Sequence, residues 1–199
     1  MEIWSDAKEN KGGEEDSGGI MNRMLASRTV VISGQVDSQL AQKVIQQLVL
    51  LDHDDSKARI TVLINSPGGE VFSGFAIYDA LRFIAAPVVT VVTGLAASMG
   101  SIIALAPEKG RRYSLPNAKF LIHQPLMTGY QGRATDLEIQ ATEILKDRER
   151  IAQIYAENTG KKPEEIAVDI ERDKWLTAPQ ALEYGLIEHI ITKRSELDG

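Results

Sequence analysis

The sequence predicts an α/β fold built around a parallel sheet. Short runs rich in β-branched residues occur at residues 29–33, 59–65 and 88–93. Each run is followed by a segment whose apolar residues recur with helical spacing. Strands and helices that alternate in this way form βαβ units, and their right-handed crossovers produce a parallel sheet.

The first half of the chain supplies these units in order. The run TVVIS at residues 29–33 is followed by Asp37, which can cap a helix with apolar residues at helical spacing (Leu40, Val44, Ile45, Leu48 and Leu51). RITVLIN at residues 59–65 is typical of a parallel strand that is buried on both faces. A helix is predicted next over residues 72–84. VVTVVT at residues 88–93 predicts a second buried strand, and residues 98–106 predict a short apolar helix.

The second half of the chain does not continue the regular alternation of strands and helices. KFLI at residues 119–122 predicts a strand, and residues 134–158 predict one long helix whose apolar residues are mixed with charges. Such a helix often projects toward a partner chain, with a plain surface helix as the alternative. Pro163 and Pro179 open two further helices, and residues 186–192 predict a closing strand.

The domain boundaries follow from composition. Residues 1–19 hold six acids and four glycines, too little apolar surface to offset the entropy of ordering them. We therefore expect a flexible acidic tail over residues 1–19, one folded domain over residues 20–193 and a short tail over residues 194–199.

Composition also argues against several classes of protein. The formal net charge of −6 argues against a nucleic acid as partner. The chain has no cysteine, which excludes disulfides, a thiolate nucleophile and a cysteine-ligated metal site. It has no apolar run long enough to span a membrane and no secretory signal pattern, so we expect a cytoplasmic protein.

Two turns after predicted strands are candidate ligand sites, because ligands bind at the carboxyl ends of parallel strands. The first, Ser66-Pro67-Gly68-Gly69, would let backbone N–H groups approach a ligand, or would serve only as a tight connection to a helix. The second, residues 94–100, contains Ser98 between small residues. A hydroxyl there can act as a nucleophile or merely cap the helix. The segment lacks the first glycine of G-x-S-x-G, and the chain has no phosphate-loop motif for ATP.

Three histidines are candidates for the general base that a nucleophilic serine needs. His123 stands where an apolar strand meets a proline turn, a position suited to the rim of a cleft. His53, in a polar segment, is interpreted as solvated, and His189, on the closing strand, as structural.

A catalytic histidine also needs a carboxylate to fix its tautomer. The segment VDIERDKW offers Asp169, Glu171 and Asp173, and local sequence does not choose among them.

Six blocks in a fixed order carry a resemblance to a known family: residues 64–69 (INSPGG), 74–79 (GFAIYD), 96–101 (AASMGS), 115–118 (LPNA), 122–125 (IHQP) and 171–173 (ERD). Over about 170 of its 199 residues the chain resembles the ClpP family, the proteolytic subunits of Clp proteases, which share a fold superfamily with the crotonases. The resemblance implies repeated ββα and βαβ units with a protruding handle helix, here residues 134–158.

The resemblance assigns roles to site residues. It implies that Ser98 is the nucleophile, His123 the general base and Asp173 the orienting acid. Backbone N–H groups of Gly69 and Met99 would form the oxyanion hole.

Further positions are implied to bind substrate or to assemble the protein. Gly68 and Val71 on one side, and Pro125 and Leu126 on the other, would pair with an extended peptide. Arg172 would link contact between rings to the geometry of the triad.

The family also implies an assembly. Two heptameric rings would stack through the handle helix into a tetradecameric barrel, which a separate ATP-dependent Clp unfoldase supplies with unfolded protein. No metal or organic cofactor is implied. Two departures concern gating and specificity: the acidic tail replaces the usual aromatic, charged pore segment, and the loop at residues 126–130 is one residue longer than the usual form.

The resulting hypothesis is a ClpP-like serine endopeptidase that hydrolyses peptides and unfolded proteins inside an oligomeric barrel. One alternative is a structural subunit of low activity that shares a mixed barrel with an active paralogue. The presence of Ser98, His123 and Asp173 argues against it, because silent subunits tend to lose one of the three. A crotonase-type acyl-CoA enzyme is a further alternative, although it would not need these residues in this order.

Overall fold

The computed structural model describes residues 12–126 and 131–197. Within them helices and strands alternate in the order α1 (Gly12–Ala26), β1 (Thr29–Val36), α2 (Ser38–Asp54), β2 (Ile60–Gly69), α3 (Val71–Phe83), β3 (Val88–Ala97), α4 (Met99–Ala104), β4 (Arg112–Ser114), β5 (Lys119–Ile122), α5 (Ala134–Thr159), α6 (Pro163–Asp169), β6 (Lys174–Thr177), α7 (Ala178–Tyr184) and β7 (His189–Ile190), followed by a 3₁₀ turn at Arg194–Leu197. The predicted α/β class is confirmed.

The sheet is parallel at its centre and branches after β3. Strands β1, β2 and β3 pair in parallel. The first half of β3 then pairs with β4, and its second half pairs with β5. Strand β7 extends the first branch in parallel, whereas β6 pairs antiparallel with β5. Because of this branching, the carboxyl ends of β3 and β5 and the amino end of β6 lie close together.

The core lies mainly between the sheet and helices α2, α3 and α4. Strand β3 is buried on both faces, as the sequence predicted: Val88 and Val92 belong to the main core, and Val89 and Val91 to a smaller cluster on the other face. Asp37 caps α2 as predicted, since its carboxylate accepts a hydrogen bond from Leu40 N at 2.8 Å.

Parts of the two predicted tails lie within the described residues and form helical structure. Residues 1–11 lie outside the described residues. Residues 12–19, which were also expected to be flexible, belong to α1. Composition missed this because Leu25 packs against the core and anchors the helix, which then elongates at little cost. At the other end residues 194–197 form the 3₁₀ turn, because Leu197 is buried in the smaller cluster.

Helix α5 confirms the long helix predicted over residues 134–158 and ends one residue later, before Gly160 in the left-handed conformation at φ 77°. Its buried side chains all lie near its carboxyl end, at Ile151, Ala152, Ile154, Tyr155 and Ala156. Leu137, Ile139 and Leu145, nearer its amino end, are exposed.

Candidate active site

Ser98 lies at the junction of β3 and α4 in a strained backbone conformation. Its φ of 53° and ψ of −125° place it in a region that residues with side chains rarely adopt. Its N–H donates to the carbonyl of Leu121 on β5 at 2.9 Å, which fixes the turn against the neighbouring strand. Ser98 is the residue before α4, yet its hydroxyl makes no capping hydrogen bond. The reading of Ser98 as a capping serine is therefore wrong.

His123 follows directly after β5, beside this turn. Ala97 pairs with Leu121 in the parallel register of β3 and β5, so both strands end at the same place. The imidazole is largely shielded, with 14% of the side chain exposed.

Asp173 directly precedes β6, the antiparallel neighbour of β5. Ile122 pairs with Lys174 in the register of β5 and β6, and one further step brings His123 opposite Asp173. Asp173 Oδ1 lies 3.1 Å from His123 Nδ1. Because a carboxylate only accepts hydrogen bonds, Nδ1 carries the proton in this contact and the lone pair of the neutral ring is on Nε2.

The other two candidate carboxylates are engaged elsewhere. Asp169 Oδ2 accepts a hydrogen bond from the Tyr184 hydroxyl at 2.7 Å, and Asp169 Oδ1 pairs with Lys174. Glu171 Oε2 pairs with the Arg148 guanidinium of α5 at 2.9 Å. Of the three, only Asp173 meets a histidine.

The structure therefore brings two of the predicted site residues, His123 and Asp173, into contact, and Ser98 follows the end of the neighbouring strand β3. Within the described part of the chain, Ser98 Oγ makes no hydrogen bond to His123. Catalytic hydrogen bonds are often long or poorly aligned without substrate, so this geometry is compatible with a serine nucleophile.

The glycine turn approaches the serine closely. A β-carbon at Gly68 would lie 2.6 Å from Ala97 O, 2.7 Å from Ser98 Cβ and 2.9 Å from Met99 N. One at Gly69 would lie 2.1 Å from Val36 O. Neither position accepts a side chain, so the backbone around Gly68 and the backbone around Met99 lie side by side. Ser66 Oγ fixes this turn, since it donates to Gly34 O at 2.6 Å and accepts from Gly68 N at 3.1 Å.

An open cavity of about 450 Å³ adjoins the histidine and is lined by His123, Gln124, Leu126, Glu171, Arg172 and Asp173. Leu126 is 71% exposed at its rim, next to the half-buried Pro125. Gly68 and Val71 lie at the junction of β2 and α3, and do not line this cavity. Residues 127–130 of the longer loop lie outside the described residues.

The remaining histidines lie away from this place. His53 is exposed on the last turn of α2, and the ring of His189 stacks on Tyr113 with centroids 4.6 Å apart. Within residues 12–126 and 131–197, no cluster of three or more His, Cys, Asp or Glu side chains is arranged to hold a metal ion. The helices described in this range include none long and apolar enough to cross a membrane.

Comparison with known proteins decides the family. The model of the family described as Clp protease matches residues 12–194. The chain belongs to the Clp protease family. A curated relative from Protochlamydia amoebophila (strain UWE25), named ATP-dependent Clp protease proteolytic subunit 1, is 48% identical over 180 residues, or 90% of this chain and 87% of the relative. The predicted class of enzyme, a serine-type peptidase of the Clp family, is thereby confirmed.

The sequence did not predict the buried polar residues that form hydrogen bonds beneath the two turns of the site. Ser66, Ser101 and Tyr155 are all buried and hydrogen-bonded around the two turns. The only signal was a polar group in an apolar segment, for example Ser101 within the apolar helix α4. Buried polar groups need partners, but the sequence does not say which ones.

Proposed function

We propose that the chain is a serine endopeptidase that hydrolyses peptides and unfolded proteins, with Ser98 as nucleophile, His123 as general base and Asp173 as the orienting carboxylate. The observation that carries the proposal is the 3.1 Å contact between His123 Nδ1 and Asp173 Oδ1 beside the strained turn of Ser98. Hydrolysis with a serine nucleophile needs a general base that removes the hydroxyl proton and a carboxylate that orients this base.

The reaction proceeds by acyl transfer. His123 Nε2 takes the proton of Ser98 Oγ as the oxygen attacks the scissile carbonyl carbon. The electron pair of the carbonyl moves onto its oxygen, where the N–H groups of Gly69 and Met99 stabilise the negative charge. Collapse of this intermediate expels the amine, which takes the proton from His123. Water then hydrolyses the acyl-enzyme with His123 again acting as base.

The substrate binds as an extended strand. Gly68 and Val71, at the junction of β2 and α3, form one side of its groove, and Pro125 and Leu126 form the other. The exposure of Leu126 and the cavity next to His123 support this placement. Backbone pairing of this kind accepts many sequences, as a peptidase of broad substrate range requires.

Membership of the family supports a proposal for assembly and partners. The chain forms stacked heptameric rings in the cytoplasm, works with a Clp-type ATPase that unfolds substrates, and uses the projecting part of α5 as the contact between rings. The exposed apolar residues Leu137, Ile139 and Leu145 support the role of α5. The relative's name, which includes "ATP-dependent", supports the ATPase partner.

Hydrolysis of a fluorogenic peptide by the purified chain tests the proposal. Ser98→Ala and His123→Ala should each abolish turnover with the native mass unchanged, while His53→Ala and His189→Ala should leave turnover intact. Retention of more than a few per cent of activity in Ser98→Ala would refute the assignment. A chain that is silent alone but assembles with an active paralogue would instead support the low-activity subunit.

A further inference from the structure

The carbonyl oxygen of Ser98 is held by donors from the next turn of the chain. It accepts a hydrogen bond from Ser101 N at 2.9 Å and one from Ser101 Oγ at 2.7 Å, and Ile102 N lies at 3.4 Å. The Ser101 hydroxyl contacts a second hydroxyl, Tyr155 Oη of α5, at 2.6 Å. Ser101 and Tyr155 are 1% and 0% exposed, so water does not compete for these bonds.

The direction of this chain of hydrogen bonds is fixed by counting protons. A carbonyl oxygen has no proton to donate, so the Ser101 hydroxyl must donate its single proton to Ser98 O. The Tyr155 hydroxyl must therefore donate to Ser101 Oγ. Each bond polarises the next, so the tyrosine strengthens the bond that the serine makes.

The oxygen that receives these bonds belongs to the same peptide group as the N–H of Met99. That group is planar and trans, so its oxygen and its N–H point in opposite directions. Anchoring Ser98 O on the buried side therefore fixes where Met99 N–H points on the open side. The constraint matters here because the φ of Ser98, 53°, lies in a strained region that the backbone would otherwise leave.

We propose that Ser101 and Tyr155 are positioning residues that aim the Met99 N–H at the oxyanion, through the Ser98–Met99 peptide group. The inference rests on the proposed function, in which Met99 N–H stabilises the oxyanion. In this inference the carboxyl-terminal turns of α5, which carry Tyr155, help to hold the Ser98 turn in place. Burial raises the pKa of Tyr155, so its hydroxyl keeps its proton and remains a donor at neutral pH.

Removing either hydroxyl should lower kcat and leave KM unchanged, because the oxyanion exists only after attack. We expect Ser101→Ala to lower kcat about 10-fold, less than the 100-fold or more for loss of an oxyanion donor, since Met99 N–H is misdirected rather than removed. Tyr155→Phe should lower kcat by about 3-fold, because the Ser101 hydroxyl stays in place.

The double variant separates positioning from stability. Ser101→Ala strands the buried Tyr155 hydroxyl without an acceptor, and adding Tyr155→Phe removes the stranded group. The double variant should therefore have a higher Tm than Ser101→Ala but the same low kcat. If kcat instead recovers together with Tm, Ser101 acts only through stability and the inference is wrong.

Thr90→Val is the matched control. Thr90 is 1% exposed and donates its hydroxyl to Ala104 O at 2.8 Å, at the opposite end of α4. Its loss removes one buried hydroxyl bonded to the same helix without touching the Ser98–Met99 peptide group. We expect a lower Tm and an unchanged kcat.

A peptidyl trifluoromethyl ketone provides a direct readout, because its adduct with the serine carries an oxyanion. Its inhibition constant should rise in Ser101→Ala by the same factor as kcat falls, whereas the affinity of an unreactive peptide stays constant. The inference would be overturned if Ser101→Ala and Tyr155→Phe had the same kcat and the same inhibition constant as the control Thr90→Val. This holds even if Ser98→Ala is inactive. An active Ser98→Ala would instead refute the proposed function.

Discussion

Asp173 Oδ1 lies 3.1 Å from His123 Nδ1 although the aspartate side chain is 63% exposed and the histidine only 14% exposed. The carboxylate of the pair is thus open to solvent, whereas the imidazole is shielded. Its geometry fixes the tautomer of the ring and directs Nε2 away from the carboxylate, as a base that serves a serine requires.

Replacing the carboxylate should disturb this tautomer. Asp173→Asn places an amide next to Nδ1, and the amide can donate a hydrogen bond and favour the wrong tautomer, so we expect kcat to fall at least about 100-fold. Asp169→Asn and Glu171→Gln serve as controls and should each lower kcat less than about 3-fold, because their carboxylates contact Lys174 and Arg148 instead. A steady-state peptidase assay on the three variants is sufficient. A loss in either control as large as that in Asp173→Asn would contradict the assignment of the acid.

Arg172→Ala should weaken assembly and activity together. Arg172 is exposed, lines the cavity next to His123 and precedes Asp173 in the chain. Contact with a facing ring through its guanidinium would bear directly on the triad, and an unpaired partner at such an interface is costly. Native mass spectrometry and a peptidase assay measure the two effects. Arg111→Ala, at another partly exposed arginine, should change neither; normal mass and normal rate in Arg172→Ala would refute the coupling.

The environment of Asp169 predicts a pH-dependent contribution to stability. Partial burial acts to raise its pKa, but hydrogen bonds from Lys174 and Tyr184, together with the charges of Lys174 and Lys161, outweigh this and hold the pKa below its usual value. The carboxylate therefore stabilises the fold above about pH 4, and the contribution is lost as the pH falls through the lowered pKa.

Asp169→Asn should therefore destabilise the protein by about 1–2 kcal/mol at pH 7. Chemical denaturation of both proteins at several pH values measures the difference, which should shrink below about pH 4. A difference that stays constant from pH 7 to pH 3 would show that the charge of Asp169 contributes nothing.

A buried ion pair links β4 to the segment before β7. Arg112 is 0% exposed, and its guanidinium pairs with both carboxylate oxygens of Glu188 while Nη1 contacts Asn158 Oδ1 at 3.2 Å. Glu188→Gln leaves the guanidinium buried without its counter-charge, so we expect a loss of about 3 kcal/mol in the free energy of unfolding. Glu108→Gln, at the exposed pair with Arg111, should cost less than about 0.5 kcal/mol. Similar losses in the two variants would argue against a special role for the buried pair.

The predictable parts of the fold were those with long, regular apolar patterns. β1, β2, β3 and α5 appear close to their predicted places because burial on both faces, or along one helical face, leaves a signal over many residues. β4 and β6 span three and four residues, too few for any periodicity, and both were missed. The closing strand predicted over residues 186–192 is reduced to His189–Ile190, since only these residues pair with β4.

The same limit applies to the candidate site. Ser98 and His123 were identifiable because each stands at the end of a predicted apolar strand. The choice among Asp169, Glu171 and Asp173 depends on β6, whose antiparallel register puts Asp173 opposite His123. Local sequence contains no trace of a pairing between strands about 50 residues apart, and so only the family resemblance singled out Asp173.

Helix α5 combines two segments whose stability has different origins. Its last turns, with Ile151, Ile154 and Tyr155 at most 3% exposed, open only when the core itself opens. Its first four turns bury no side chain and rest on their own backbone hydrogen bonds, which are marginal for a helix of that length in water. Amide hydrogens there should exchange rapidly in an isolated protomer and slowly once another chain covers the helix. If rings stack through α5 as proposed, hydrogen exchange along this one helix reports the state of assembly residue by residue, without any label.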